Sequence, residues 1–185
     1  MKKILIASVL LASCSVALAE PYVGGSIGYA RSGVDCASGA NCSKNATGAK
    51  AFVGYSFTEM FALEASYFDL GKASASLGPA SEDVKSSGYG LRGVLSVPFN
   101  KDFSGFAAVG INRVKSRDTA SVGILSLSST TDTTATKPSF ALGVDYAVTP
   151  ALKLRGEVEQ IRFDAPANSG NYNVTNFNVG LKYGF

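Results

Sequence analysis

The sequence predicts an all-β chain, eight antiparallel strands closed into a transmembrane barrel with short periplasmic turns and long extracellular loops. Three observations predict it. The last nine residues alternate strictly, with Phe177, Val179, Leu181, Tyr183 and Phe185 on one face and Asn178, Gly180, Lys182 and Gly184 on the other. Seven earlier segments repeat this period of two, which belongs to strands because successive side chains point to opposite faces. The connections between segments alternate short with long. In water the aromatic face of the last strand would need a core to cover it; facing lipid, it needs none.

Residues 1–19 read as a secretory signal. Lys2 and Lys3 precede an apolar run, Ile4 to Ala12, that is too short to span a bilayer as a helix. Ala17-Leu18-Ala19 supplies a small-x-small cleavage site before Glu20. Leu11-Ala12-Ser13-Cys14 gives a competing reading, a lipobox that would acylate Cys14. Cleavage after Ala19 is favoured because a barrel already sits in the membrane. Residues 20–185 then form one domain. The whole-chain charge of +3 falls to +1 once Lys2 and Lys3 leave, which gives no basis for a nucleic-acid partner. No later stretch approaches the roughly 18 apolar residues of a membrane helix, so a membrane reading requires strands.

In chain order, the first segment sets Val23, Ile27 and Tyr29 against Gly24, Ser26 and Gly28. The second sets Ala49, Ala51, Val53, Tyr55 and Phe57 against Lys50, Phe52, Gly54 and Ser56. Phe61, Leu63, Ala65 and Tyr67 oppose Ala62, Glu64 and Ser66 in the third; Tyr89, Leu91, Leu95 and Val97 oppose Gly90, Arg92 and Ser96 in the fourth. The fifth is the least regular: Phe103, Ala107, Val109 and Ile111 share a face, but Phe106 lies on the other. In the sixth, Phe140, Leu142, Val144, Tyr146 and Val148 oppose Ser139, Gly143 and Asp145. The seventh sets Leu152, Leu154 and Val158 against Lys153, Arg155, Glu157 and Glu159, and the C-terminal segment closes the set.

Three connections are tight, at residues 58–60, 98–102 and 149–151; four are long and polar, around 32–47, 72–87, 112–137 and 164–171. Outer-membrane barrels have this asymmetry, and a soluble sandwich has no reason for it. Cys36 and Cys42 share the first long loop, where an exported chain is expected to pair them as a disulfide. With no histidine and only Asp35 nearby, a zinc site there lacks ligands, and no cofactor is expected. In the third loop, Ser126 to Thr136 reads as a flexible solvated tract. The apolar patch from Val122 to Leu127 is expected to pack on itself, with an extended hairpin above the membrane or contact with a partner as the alternatives.

Gly48-Ala-Lys-Ala-Phe-Val-Gly-Tyr55, Phe61-Ala-Leu-Glu64, Gly143-Val-Asp-Tyr-Ala-Val-Thr-Pro150 and Leu154-Arg-Gly-Glu157 resemble the transmembrane barrel of the outer membrane protein A type. The ending, with Phe177, Val179, Leu181, Tyr183 and Phe185, also resembles the C-terminal assembly signal of bacterial outer-membrane barrels. The resemblance implies a Gram-negative outer-membrane location and folding by the barrel-assembly machinery. Larger members carry a periplasmic peptidoglycan-binding domain; this chain ends at Phe185 and is expected to lack it. Several barrel-only members act at the bacterial surface in adhesion or serum resistance.

Parity turns Lys50, Arg92, Arg155 and Lys182 inward, together with Glu64, Asp145, Glu157 and Glu159. An eight-strand barrel is only wide enough for its own side chains, so these charges should pair across the lumen and plug it. Glu64, Arg92, Asp145 and Arg155 match charged positions of the family's interior network, Asp145 being shorter than the family's Glu. The expected function is therefore non-enzymatic: envelope structure with an adhesin-like surface role. The expected surroundings are outer-membrane lipid and lipopolysaccharide, a host or phage ligand at the loops, and a monomeric state. A small ion-conducting pore is the alternative. A lipid-modifying enzyme is disfavoured, because acyl transfer needs a base near neutral pH and the chain has no histidine.

Overall fold

The structure, a computed structural model, describes residues 20–32, 41–42, 45–77, 80–122, 127–164 and 171–185. The segment read as a signal lies outside them. The described strands are β1 (Glu20–Ser32), β2 (Asn41–Cys42), β3 (Asn45–Ser56), β4 (Phe61–Leu77), β5 (Ala80–Pro98), β6 (Phe103–Val122), β7 (Leu127–Ala147), β8 (Leu152–Asp164) and β9 (Asn171–Gly184). Consecutive long strands pair antiparallel, and β1 also pairs with β9, so eight of them close into a ring. The two-residue β2 joins only the upper part of β4.

Closure is staggered. Following paired residues from Glu64 through β5, β6, β7 and β8 leads to Val174 in β9. Following them the other way, through Gly54 and Tyr22, leads to Gly184, a stagger of ten residues. A ring with such a stagger closes only if its strands tilt, and at eight strands the interior is still only of side-chain width. Alternation then sorts every residue: Ile27 is 71 % exposed on the outer wall, whereas its neighbour Ser26 is 9 % exposed inside. The outer wall is a band of Val, Leu, Ile, Phe and Tyr, and only lipid covers such a band.

The three tight turns share one chemistry. Thr58 Oγ1 accepts the Phe61 N–H at 2.9 Å, and Thr149 Oγ1 accepts the Leu152 N–H at 2.9 Å. Asn100 Oδ1 accepts from both Asp102 N–H, at 2.9 Å, and Phe103 N–H, at 2.8 Å. A short polar side chain thus mimics the backbone and folds the chain back at once.

At the other end the strands run on. Crossing a bilayer takes about 9–11 residues, yet β4, β5, β6 and β7 have 17, 19, 20 and 21. The regions expected as long loops at 72–87 and 112–137 are mostly paired hairpins. Leu77 pairs with Ala80, and Val122 pairs with Leu127, so both ends of the apolar patch lie in a paired hairpin, while its middle, residues 123–126, lies outside the described residues. The Ser/Thr tract is not a flexible loop. It is strand from Leu127 onward, with Ser128 opposite Ser121 and Thr136 opposite Arg113. Its β-branched threonines suit a pleated surface, and its polarity reflects water on both faces. One bulge interrupts this region between Asp69 and Lys72, where Gly71 takes φ +79° and donates its N–H to Asp69 Oδ1 at 2.8 Å.

Inward glycines make room for aromatic rings. A Cβ on Gly143 would lie 2.4 Å from the Gly156 carbonyl oxygen and 2.4 Å from Phe106 Cζ. On the outer wall, a Cβ on Gly93 meets nothing nearer than Phe61 at 3.7 Å. Gly143→Ala is therefore expected to destabilise the barrel by ~1–3 kcal/mol, and Gly93→Ala to leave it unchanged. Urea unfolding midpoints in lipid vesicles separate the two; equal midpoints would contradict the packing.

Candidate functional site

Eight charged side chains meet inside the barrel and form one alternating line. Lys182 Nζ lies 3.4 Å from Asp145 Oδ2. Asp145 in turn receives Arg155 Nε at 2.8 Å and Nη2 at 2.9 Å, a bidentate pair. Arg155 Nη1 reaches on to Glu64 Oε2 at 2.9 Å, and Arg92 Nε donates to Glu64 Oε1 at 2.7 Å. Arg92 Nη2 lies 2.7 Å from Glu157 Oε2. Lys50 Nζ closes the line, 2.5 Å from Glu157 Oε1 and 2.7 Å from Glu159 Oε2. The signs run plus, minus, plus, minus throughout and sum to zero.

Local sequence explains the line. Arg155, Glu157 and Glu159 alternate along β8 and so share its inner face. Glu64 sits directly opposite Arg92, and Asp145 directly opposite Arg155, so two links are cross-strand pairs. The others are made across the lumen, as Lys50 to Glu157 is over 107 positions of sequence. Glu64 has 0 % of its surface exposed and Arg155 has 2 %. A charge so buried is costly unless paired and hydrogen-bonded, and each internal member here has two partners.

Sequence reasoning did not single out the aromatic clamps. Tyr22 donates its hydroxyl to Glu64 Oε2 at 3.1 Å, and Lys182 Nζ sits 4.2 Å from the centre of its ring. The Arg155 guanidinium carbon lies 5.0 Å from the Phe52 ring centre and 4.4 Å from that of Phe106. Aromatic faces attract cations, most strongly where water is excluded. Phe106 broke the parity of its strand; an aromatic on the charged face was the available signal for this role. Lys137, Asn112 and Asn176 are also buried in the lumen and were likewise missed.

Apolar clusters flank the ion pairs. Tyr22, Phe52, Ala62, Val94, Phe106, Ala108 and Ala141 gather toward the tight turns, and Phe68, Val114 and Ile161, with Leu70 and Val174, toward the long hairpins. Between Lys50, Phe68, Glu159, Asn176 and Asn178 lies a cavity of about 10 Å³, the room one water molecule needs. Glu157 and Glu159 are both held on Lys50. Among the described residues no three His, Cys, Asp or Glu side chains are placed to hold a metal. Of the cysteines, Cys42 lies in β2, and Cys36 lies outside the described residues. Phe177, Val179, Leu181, Tyr183 and Phe185 all face outward.

The family model for the outer membrane protein beta-barrel domain matches residues 4–185. The chain belongs to this family. It is an integral outer-membrane barrel, with its tight turns in the periplasm and its hairpins outside. A search of curated proteins finds no match. Among solved structures, the barrel resembles Neisserial surface protein A at 17% identity, TM-score 0.63, covering 89% of this chain and 97% of that one. It resembles Ail, the attachment invasion locus protein of Yersinia pestis, at 17% identity, TM-score 0.56, covering 90% and 99%. OprG of Pseudomonas aeruginosa aligns at 11% identity, TM-score 0.56, covering 93% and 98%.

Above the membrane the charges are exposed. Asp132 accepts from Arg117 Nε at 2.9 Å and lies 3.0 Å from Lys115 Nζ. Hydrogen bonds from Arg117, then from Lys115, bring its carboxyl down to about 2. Its folded value lies below the ordinary ~3.9, so its contribution to stability is present above pH ~4 and lost as the pH falls through about 2. A side-chain carboxyl NMR titration of the intact barrel should find this midpoint near 2, and Arg117→Gln should move it toward ~3.9. An ordinary midpoint in the parent would mean that the pairs do not form in solution.

Proposed function

We propose that the protein is a non-enzymatic outer-membrane scaffold whose lipid-facing wall supports the envelope and whose extracellular sheet attaches the cell to a surface ligand. The observation that carries this reading is the length of β4–β7, a paired four-stranded sheet standing well beyond the bilayer over a lumen filled by its own ion pairs. Pairing makes the sheet rigid, and recognition concentrates where a rigid scaffold presents side chains to solvent. The shorter β1, β3, β8 and β9, of 12–14 residues, leave this sheet standing on one side of the barrel mouth. Likeness to a protein named for attachment, Ail, supports the same reading. The neutral line of ion pairs argues against a pore, because an ion would have to part pairs that are each buried.

The test joins two assays. Bacteria carrying the full chain, or a chain with β4–β5 and β6–β7 shortened to the membrane surface, are scored for adhesion to immobilised matrix glycoproteins. Both purified barrels are then placed in planar bilayers. Adhesion by the full chain alone, with the trimmed chain folded and present in the outer membrane, and no steady conductance from either, is the expected result. Equal adhesion together with steady conductance would reverse the reading in favour of a pore.

A further inference from the structure

The outer face of the extracellular sheet carries an arrangement that strand pairing alone disfavours. Lys72 lies directly opposite Lys85, Lys85 opposite Arg117, and Arg117 opposite Asp132, all in one cross-strand row. Like charges directly opposite one another on a sheet repel, and here three cations stand side by side. Carboxylates compensate only in part: Asp83 lies 2.9 Å from Lys72, Asp69 lies 3.4 Å from Lys85, and Asp132 is shared by Lys115 and Arg117. With Arg113 exposed below, five cations face three anions among the described residues, an excess of +2 on this side of the wall.

The height of this patch identifies its surroundings. Tyr67 and Tyr89, directly opposite each other and both exposed, mark the upper aromatic rim of the lipid-facing band. Arg113 is directly opposite Tyr89, and Lys115 is opposite Ser87, one outward position farther along the strand. Lys85 lies four residues above Tyr89, ~13 Å along the strand at 3.3 Å per residue and ~10 Å in height at a tilt of about 40°. The polar zone of a bilayer reaches roughly 5–8 Å beyond its hydrocarbon. The cations therefore begin at the headgroups and continue just above them, on the face that points sideways along the membrane.

We propose that Lys72, Lys85, Arg113, Lys115 and Arg117 form a docking site for the phosphate groups of lipopolysaccharide packed against the β4–β6 side of the barrel. The phosphates of the outer-leaflet glycolipid supply the missing negative charge at this height. Its acyl chains continue down the apolar wall below Tyr67 and Tyr89, so one molecule satisfies both the charged row and the lipid band. A soluble anionic polysaccharide would meet the charges but not the wall.

The test uses the full barrel in phospholipid nanodiscs doped with rough lipopolysaccharide, folding being checked by heat-modifiable gel mobility. The probes are intact lipopolysaccharide, its dephosphorylated form and soluble heparin. Because all the cations are exposed, Lys85→Gln with Arg117→Gln leaves the fold intact. It is expected to weaken retention of intact lipopolysaccharide by about fivefold per cation removed, an effect that salt suppresses. Asp132→Asn removes an anion from the same patch and is expected to strengthen retention. The parent should hold the dephosphorylated form no better than the double variant holds the intact one. Equal retention by parent and double variant, or indifference to the phosphates, would overturn the proposal. Tighter binding of heparin through the same two cations would overturn it in favour of a soluble polyanion.

Discussion

The constraint on which the rest of this barrel depends is the placement of eight formal charges in a cylinder too narrow to hydrate them. An interior charge with no partner costs several kcal/mol even after relaxation, so such a lumen is tolerable only if every charge finds its opposite. For these eight that condition is met by a single line running from Lys182 to Glu159. It draws on six of the eight barrel strands. A shift of one residue in any of these strands would turn its charges to lipid and leave their partners unpaired. The line is thus a register lock as well as a plug.

Much else follows from that lock. Apolar clusters cover both ends of the line, and aromatic rings take the cations whose hydrogen bonds leave a face open. Glycines on the inner wall give those rings their space. A lumen closed in this way is a stiff base, and the sheet of β4–β7 rises from it with cross-strand pairing unbroken apart from the bulge near Gly71. Fold and surface are therefore linked: the sheet's orientation is set by strands whose lower halves are held by buried charge.

The period of two was legible residue by residue, because lipid and lumen are such different solvents. It assigned the outer band and gave the inner face of Lys50, Glu64, Arg92, Asp145, Arg155, Glu157, Glu159 and Lys182 without any structure. The order of the line was not legible. Parity gives a face but not a height, and Lys50 meets Glu157 and Glu159 only because of the ten-residue stagger. Tyr22 was hidden for a related reason: its inward direction followed from parity, but its partner Glu64 depends on closure. The upper strands were misread because polarity on both faces is the mark of a loop in an ordinary domain. In a sheet standing in water it is the mark of two wetted faces.

Glu64 tests this account most directly, since it accepts from Tyr22, Arg92 and Arg155 at the middle of the line. The measurement is the unfolding free energy of Glu64→Ala in lipid vesicles, set beside Lys182→Gln at the exposed end. The account predicts a loss of about 3–5 kcal/mol for Glu64→Ala, because two guanidinium groups are left buried and under-paired. Lys182→Gln should cost clearly less, its side chain being 15% exposed with one carboxylate at 3.4 Å. A Glu64→Ala barrel within about 0.5 kcal/mol of the parent, the range of ordinary surface changes, would contradict the claim that paired charge holds the lumen.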